Sequence, residues 1–497
     1  MSDQLTQQEL ENYLWGAATL LRGVIDPGEY KNIIFPLMFF KRISDVYDEE
    51  YEQALNDSGG DEEYASFAEN HRFNVPKGAH WDDVREVTTD IGLAIREAMR
   101  AIEKENPDTL FGIFGDTNWT NKNRLTDRIL TDLLEHFSSV KLTVENVPQD
   151  EFGTAYEYLI KKFADDSGHT AAEFYTNRTV VELMTLIMNP QSGESIYDPT
   201  CGSGGMLLNA VLHVKEQGDE WRNIKVYGQE INLITSAIAR MNMFIHGIED
   251  FQIERGDTLS NPAFVENDQV QQFNICLANP PYSIKRWDQE SWKNDPWGRN
   301  IYGTPPQGNA DYAFFQHIIA SLKEDTGRCA ILWPHGVLFR DSEKDMRSKL
   351  IENDYIDTVL GMGPNLFYNS PMDSCIVICN KNKPPERQGK ILFIRADDQI
   401  ENEKTQSFLS EEHIKNIFAW YKGFKEIPGR TTIATLNEIE NNNYVITVAR
   451  YVHAHLADEN QKEKKSVHEV ISKWKSSSKN VHESFAKTKD TLYEVIK

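Results

Sequence analysis

An apolar segment at 275–278 leads directly into the tetrapeptide Asn279, Pro280, Pro281 and Tyr282. The apolar residues predict a buried strand, and the two prolines end it because proline lacks the amide hydrogen that a sheet needs. The Asn279 side-chain oxygen and the Pro280 carbonyl can accept hydrogen bonds from an amino group, and the Tyr282 ring can stack on a flat base. Two such acceptors leave the nitrogen lone pair free to attack a methyl group. A proline turn that closes a strand in any α/β protein is the alternative, and the tetrapeptide alone leaves both open.

A glycine-rich loop follows an earlier apolar segment, 195–197. It reads Asp-Pro-Thr-Cys-Gly-Ser-Gly-Gly over 198–205 and precedes a predicted helix at 206–215. Glycines let a ligand approach the backbone closely, and a helix N-terminus attracts its carboxylate. The Asp198 carboxylate could hold an ammonium group beside it. One such loop is weak evidence for a nucleotide-like ligand, because it lacks the strict dinucleotide-binding spacing.

Acidic residues end the next two predicted strands. Glu230 follows the segment 224–227, where a carboxylate can bond both hydroxyls of a ribose or simply begin a helix in solvent. Asp257 ends a third strand, where it could accept a hydrogen bond from an adenine amino group or cap the following turn. Asp198, Glu230, Asp257 and Asn279 therefore fall at successive strand ends, the edge at which open α/β sheets bind ligands. This order favours transfer of a methyl group from a nucleoside-bearing donor.

The elements that must position these residues divide the chain into three regions. Residues 1–148 have apolar residues at helical spacing and predict an all-α domain without an evident catalytic group. Residues 149–455 alternate strands and helices, which indicates a Rossmann-like α/β domain. Residues 456–497 predict an amphipathic helical tail that docks on a partner, or else packs on its own chain. Helices are predicted at 88–104, 123–138, 180–188 and 312–322, and further strands at 328–332, 355–360 and 374–378.

Composition restricts the function further. The 497 residues include 52 basic and 77 acidic ones, for a formal charge of −25. A negative charge of this size opposes DNA binding by the chain alone, because Lys and Arg contacts to phosphate supply most of the non-specific affinity for DNA. No apolar segment approaches membrane-spanning length, and no signal-peptide pattern opens the chain. The five cysteines lack a zinc-binding pattern, so we expect buried thiols in a reducing cytoplasm and no metal site.

Other chemistries are disfavoured by the motifs. The chain has no P-loop motif, so it is not an ATP-driven motor. It also lacks the Pro-Cys motif of enzymes that methylate a cytosine ring carbon. His335 follows a predicted strand and could act as a base, but attack on an activated sulfonium needs a freed lone pair more than a strong base. We therefore expect a structural role for His335.

Together these segments resemble the modification subunit of type I restriction-modification systems, in the N6-adenine DNA methyltransferase family, over nearly the whole chain. The tetrapeptide at 279–282 resembles the family's catalytic motif, and the loop at 198–205 resembles its glycine loop. Residues 173–176 are similar to its first cofactor motif, and residues 14–18 are similar to part of its N-terminal helical domain. The chain departs from the family at Asn177, where proline is usual.

The resemblance implies that S-adenosyl-L-methionine is the methyl donor and that the acceptor is N6 of an adenine in double-stranded DNA. It implies a separate specificity subunit, which agrees with the acidic charge. Two modification subunits per specificity subunit and an ATP-dependent restriction subunit would complete the complex. It assigns catalysis to Asn279, Pro280, Pro281 and Tyr282. It assigns cofactor binding to Glu173, Phe174, Tyr175, Thr176, Asp198, Thr200, Gly202, Ser203, Gly204, Glu230 and Asp257.

Two other functions stay open. A protein methyltransferase acting on a glutamine amide would use the same tetrapeptide, although the large helical region and the tail favour DNA as the substrate. A non-catalytic assembly subunit could retain the fold, but the complete set of motifs argues against it.

Overall fold

The computed structural model describes residues 5–166, 175–366, 373–402 and 406–453. Its first region is helical, and the apolar faces of the helices form one buried core. Within the described residues these helices are α1 (Gln7–Leu21), α2 (Tyr30–Asp57), α3 (Glu62–Ala65), α4 (Trp81–Arg85), α5 (Ile91–Glu105), α6 (Pro107–Leu110) and α7 (Asp127–Ser138). The helices predicted at 88–104 and 123–138 are confirmed as α5 and α7. Each begins about a turn later than predicted, α7 because the Thr126 hydroxyl accepts the Ile129 N–H and caps it.

The helix α8 (Gln149–Asp166) joins this region to the α/β region. Its apolar residues lie in the same core as those of α1, α2 and a later helix, α11 (Leu233–Ile245). The Tyr156 hydroxyl donates to the Ile238 carbonyl at 3.0 Å across this contact. The helical region and the α/β region therefore share one core, and the domain boundary placed after residue 148 stays a prediction.

A nine-stranded mixed sheet, counted over the described residues, forms the centre of the α/β region. Its strands are β1 (Ser195–Asp198), β2 (Lys225–Glu230), β3 (Phe251–Arg255), β6 (Ile275–Ala278), β7 (Arg328–Pro334), β8 (Ile356–Met362), β9 (Ser374–Asn380), β10 (Lys390–Ala396) and β13 (Thr431–Thr435). The order across the sheet is β13-β10-β8-β9-β7-β6-β1-β2-β3. Neighbouring strands are parallel, except that β9 runs antiparallel to β7 and β8, and β13 runs antiparallel to β10. The predicted α/β fold with a helical N-terminal domain is confirmed.

Short strand pairs and flanking helices complete this region. Two ribbons are formed by β4 (Val265–Glu266) with β5 (Gln269–Val270) and by β11 (Glu401–Asn402) with β12 (Ser407–Phe408). The remaining helices are α9 (Arg178–Met188), α10 (Gly205–Glu216), α12 (Gln289–Lys293), α13 (Asp311–Ala320), α14 (Lys344–Glu352), α15 (Glu411–Gly423), α16 (Leu436–Asn441) and α17 (Val448–Tyr451). The helices predicted at 180–188, 206–215 and 312–322 are confirmed as α9, α10 and α13. The tail predicted at 456–497 lies outside the described residues.

All five cysteines are buried and free of disulfide bonds. Four of them lie in the neighbouring strands β6, β7 and β9, and Cys201 lies in the glycine loop. Burial raises the pKa of the Cys201, Cys276, Cys375 and Cys379 thiols. The predicted burial is confirmed. Over the described ranges, no group of His, Cys, Asp and Glu has the arrangement of a metal site, and no helix is long and apolar enough to cross a bilayer.

Candidate active site

Four predicted site residues meet at one edge of the sheet. Strands β6, β1, β2 and β3 are adjacent and parallel, so their carboxyl ends lie side by side. Asp198 ends β1 and Glu230 ends β2. Asn279 directly follows β6, and Asp257 follows β3 by two residues. The sheet order thus brings together positions that are far apart in the sequence.

The glycine loop is attached to the second strand through its backbone. The Cys201 N–H donates to the Gln229 carbonyl at 3.0 Å. The Gly202 N–H donates to Oε2 of Glu230 at 3.1 Å. Gly202 and Gly204 have φ angles of 54° and 78°, in the left-handed region that side chains disfavour. These positions need glycine, because the loop turns sharply before α10 begins.

Asp198 is a buried carboxylate beside a second one. Its pKa is raised to about 7, mainly by burial and in part by the nearby Glu230 charge. The Thr200 N–H donates to Oδ1 of Asp198 at 2.9 Å and opposes this shift. A cation placed here would favour the charged form of the carboxylate. The site therefore suits an ammonium group.

Glu230 and Asp257 differ in the number of backbone N–H groups that their carboxylates accept. Glu230 is only 9% exposed, and its two oxygens accept the N–H groups of Gly202 and Asn232. Asp257 is half-buried, and its side chain accepts the Leu259 N–H at 3.0 Å. Asp257 thus caps the turn after β3, which is the alternative role considered from the sequence. Each carboxylate oxygen can accept more than one hydrogen bond, so both side chains can still bind a ligand.

The tetrapeptide at 279–282 lies against the first predicted cofactor motif. Nδ2 of Asn279 donates to Oγ1 of Thr176 at 3.1 Å. The Tyr282 hydroxyl donates to Oδ1 of Asn279, and the Tyr282 ring lies 6.5 Å from the Trp333 ring at 52°. Burial raises the pKa of Tyr282 well above its ordinary value, so its hydroxyl stays protonated. Of the same motif, Tyr175 is buried, whereas Glu173 and Phe174 lie outside the described residues.

Arg178 is a site residue that the sequence analysis missed. Its guanidinium forms an ion pair with Glu157 at 2.5 Å and lies 4.8 Å from the centre of the Tyr175 ring. A Cβ on Gly205 would collide with this guanidinium, so the glycine leaves room for the arginine. Nε of Arg178 is buried and has no hydrogen-bond acceptor among the described residues. The position of Arg178 two residues after Thr176 was the available signal.

Helix α8 supports the glycine loop through Glu157. Oε1 of Glu157 accepts a hydrogen bond from Nδ2 of Asn242 at 2.7 Å. The same Nδ2 donates to the Ser203 carbonyl at 3.1 Å. A chain of polar contacts therefore connects the helical core to the loop.

Asn177 explains the departure from the family pattern. Its side-chain oxygen accepts the Thr179 N–H at 3.1 Å and caps α9. Its Nδ2 donates to the Ser407 carbonyl at 2.7 Å. Asparagine at this N-cap position thus begins the helix with a side-chain hydrogen bond that proline cannot make.

A small cavity lies where these elements meet. Its wall includes Thr176, Arg178, Asp198, Asn279 and the glycine loop. Ile231 directly follows Glu230 and is 64% exposed, although it is large and apolar. An apolar side chain at this edge can pack against the flat face of a base. The apolar residue after an acidic strand end was a signal that the sequence analysis did not use.

A buried ionic network holds the end of the tetrapeptide in place. The Ser283 N–H donates to Oδ1 of Asp311 at 2.7 Å, and Ser283 has a φ of 52°. Oδ2 of Asp311 accepts from Arg340 at 2.5 Å, and Arg340 also pairs with Glu343 at 2.8 Å. Asp311 is fully buried. Asp311 therefore fixes the backbone directly after Tyr282.

His335 does not lie free in this site. Nε2 of its ring is 2.9 Å from the Ser374 carbonyl, at the start of β9. This contact joins the end of β7 to the beginning of the antiparallel strand. The structural role expected for His335 agrees with this position.

Comparison with known proteins gives the family. Residues 147–460 match the model described as N-6 DNA Methylase, and residues 10–137 match the HsdM N-terminal domain. The chain belongs to the N-6 DNA methylase family. The type I restriction enzyme MjaIX methylase subunit of Methanocaldococcus jannaschii is 28% identical over 91% of this chain and 85% of its own length. The HindI methylase subunit of Haemophilus influenzae is 30% identical over 76% of this chain and 89% of its own length.

A solved structure of the N-6 DNA methylase family has the same architecture. The type I restriction-modification methyltransferase subunit from Streptococcus thermophilus gives a TM-score of 0.78 at 28% identity, over 90% of this chain and 100% of that one. The resemblance to type I modification subunits inferred from the sequence is thereby confirmed.

Proposed function

We propose that this chain is the catalytic modification subunit of a type I restriction-modification complex, a site-specific adenine DNA methyltransferase of class EC 2.1.1.72. It would transfer a methyl group from S-adenosyl-L-methionine to N6 of an adenine flipped out of the duplex. The observation that carries the proposal is the position of Asn279. Its side chain lies on the cavity wall, between Thr176 and the glycine loop.

The residues that line the cavity and those at the neighbouring strand ends fit the chemistry of this cofactor. Asp198 is buried and suits the ammonium of the methionine end, while the unpaired Nε of Arg178 suits its carboxylate. Glu230 would bind the ribose, and Asp257 with Ile231 would hold the adenine. When bound, S-adenosyl-L-methionine supplies a methyl group on a positively charged sulfur. The low exposure of Asp198 excludes water that would compete for the ammonium.

Asn279 and Pro280 would orient the acceptor. The Asn279 Oδ1 and the Pro280 carbonyl accept the two N6 hydrogens of the adenine, so that the nitrogen lone pair points toward the methyl group. Oδ1 of Asn279 already accepts from the Tyr282 hydroxyl, and a carbonyl oxygen has two lone pairs. The Tyr282 ring would stack on the extruded base, with Pro281 fixing the turn between them.

The net charge of the chain and the names of its relatives support a set of protein partners. A chain with a net charge of −25 needs another protein to hold DNA. The curated relatives are named subunits of type I restriction enzymes. We therefore propose a separate specificity subunit, two copies of this chain per specificity subunit, an ATP-dependent restriction subunit and a cytoplasmic location. A protein glutamine-amide methyltransferase is disfavoured, because residues 10–137 match the HsdM N-terminal domain.

Asn279→Ala tests this function. We expect the assembled complex to lose methyl transfer to DNA, while S-adenosyl-L-methionine binding survives because the glycine loop is unchanged. The measurements are incorporation of a labelled methyl group into target DNA and calorimetric cofactor binding. Asn416→Ala, in α15, is the matched control and should behave as wild type. Methylation by the Asn279→Ala complex at the wild-type rate would contradict the proposal.

A further inference from the structure

The loop directly after the catalytic tetrapeptide presents two adjacent cations. Lys285 and Arg286 are both exposed, and neither forms an ion pair with any residue in the described ranges. The nearest carboxylates in the sequence are engaged elsewhere. Asp288 accepts the Ser291 N–H at 3.0 Å, and Glu290 pairs with Lys293 at 2.5 Å. The Lys285 and Arg286 side chains therefore present positive charge that no carboxylate of the described residues pairs, in a chain that is strongly acidic overall.

The backbone of this loop is fixed by a glutamine from the segment before α13. Nε2 of Gln307 donates to the Lys285 carbonyl at 3.2 Å and to the Trp287 carbonyl at 3.0 Å. Nε1 of Trp287 donates back to the Gln307 carbonyl at 3.1 Å. The Trp287 ring also packs edge-on against Trp292, with 6.1 Å between ring centres. The two cations therefore project from an ordered backbone, which lowers the entropy cost of binding.

The start of the loop is fixed relative to the catalytic side chains. The buried Asp311 carboxylate accepts the Ser283 N–H at 2.7 Å. Lys285 lies three residues beyond Tyr282, a distance of at most about 11 Å along the backbone. A DNA strand carries one phosphate about every 3.4 Å of helix axis. Both cations can thus reach the phosphates that flank a base held at Tyr282.

We propose that Lys285 and Arg286 bind backbone phosphates of the DNA strand that carries the target adenine. This inference rests on the proposed function and adds to it a contact made by the acidic subunit itself. The two side chains position the strand at the catalytic edge, while the specificity subunit supplies sequence recognition. Over the described residues, no hydrogen bond, ion pair or ring contact joins their side chains to the candidate cofactor-binding residues or to the tetrapeptide, so they are positioning residues.

The double variant Lys285→Ala/Arg286→Ala tests the inference in the complex assembled with its specificity subunit. We expect a higher KM for target DNA, with cofactor affinity, thermal stability and kcat at saturating DNA unchanged. Two lost phosphate contacts should lower the slope of log K against log salt by about 1.8. Reducing salt from 0.2 to 0.05 M should then strengthen wild-type binding about twelvefold more than variant binding.

The controls separate this inference from the function on which it rests. Lys422→Ala/Lys425→Ala removes the same charge from two exposed positions, one in the last turn of α15 and one just after it, and should leave KM and salt slope unchanged. Lys285→Arg/Arg286→Lys keeps both charges and should retain wild-type KM. A Lys285→Ala/Arg286→Ala complex with wild-type KM and salt slope would overturn the inference. A wild-type complex that does not methylate DNA would overturn the proposed function instead.

Discussion

A carboxylate as deeply buried as that of Asp198 needs a nearby positive charge to stay ionised. Burial and the Glu230 charge hold its pKa at about 7, against about 3.9 in an unfolded chain. Without a bound cation, its contribution to stability is present below about pH 4 and is lost as the pH rises through about 7. With a bound ammonium the ionised form is needed, so ligand binding follows the opposite trend.

Cofactor affinity should therefore depend on pH through Asp198. We expect the Kd for S-adenosyl-L-methionine to fall by up to about tenfold per pH unit between pH 5.5 and 7, and then to level off. Calorimetry at several pH values measures this. Asp198→Asn removes the titrating group and should bind weakly with a flatter pH profile. A wild-type affinity that is constant from pH 5.5 to 7 would exclude Asp198 as the ammonium ligand.

At the scale of elements, the first turn of α13 holds the backbone that directly follows the tetrapeptide at 279–282. Asp311 accepts the Ser283 N–H and is itself held by Arg340. Ser283 has a left-handed backbone, which a non-glycine residue adopts only when its surroundings impose it. A helix that begins 28 residues later in the chain thus fixes the position of the tetrapeptide.

Asp311→Ala should separate catalysis from cofactor binding. A displacement of about 1 Å at the reacting atoms can cost on the order of 100-fold in rate, so we expect kcat to fall by about this factor. The affinity for S-adenosyl-L-methionine should stay unchanged. Asp311→Asn keeps an oxygen for the Ser283 N–H and should recover part of the lost kcat. Single-turnover methylation and calorimetry measure both quantities, and an unchanged kcat in Asp311→Ala would contradict the positioning role.

The strands and helices show which structural features a local sequence pattern can predict. The strand ends at Asp198, Glu230 and Asn279 were predicted because each polar residue interrupts an apolar segment. The antiparallel direction of β9 was not predicted, because a buried strand has the same pattern in either direction. Arg178 and Asp311 were missed for a related reason. The Glu157 partner of Arg178 and the Ser283 partner of Asp311 lie in other elements or loops, and only the packing of α8 and α13 brings these pairs together.

At the scale of the whole molecule, the acidic charge and the shared core set how the subunit works. The helical region packs on α11 through α8, and the same helix supports the glycine loop through Glu157 and Asn242. A partner that contacts the helical region would therefore act on a structure continuous with the glycine loop. We expect the net charge of −25 to oppose DNA binding by that structure alone.

The chain alone should bind duplex DNA only very weakly. At about 0.15 M salt we expect a Kd above about 10⁻⁴ M, at the weak end of non-specific binding, because repulsion outweighs two local cations. Addition of the specificity subunit should bring binding to the range of specific complexes. Fluorescence anisotropy of a labelled duplex measures both states. Micromolar binding by the chain alone would show that it carries a DNA-binding surface of its own.

Because all five cysteines are buried, the labelling of their thiols can report local and global unfolding of the protein. A thiol-reactive dye can label Cys276, Cys329, Cys375 and Cys379 only when the centre of the sheet separates, so their labelling rate measures global unfolding. Cys201 lies in the glycine loop and needs only a local opening. Labelling should therefore proceed in two kinetic phases. A ligand that closes over the loop would slow the fast phase more than the slow one, which makes site occupancy visible without measuring any reaction.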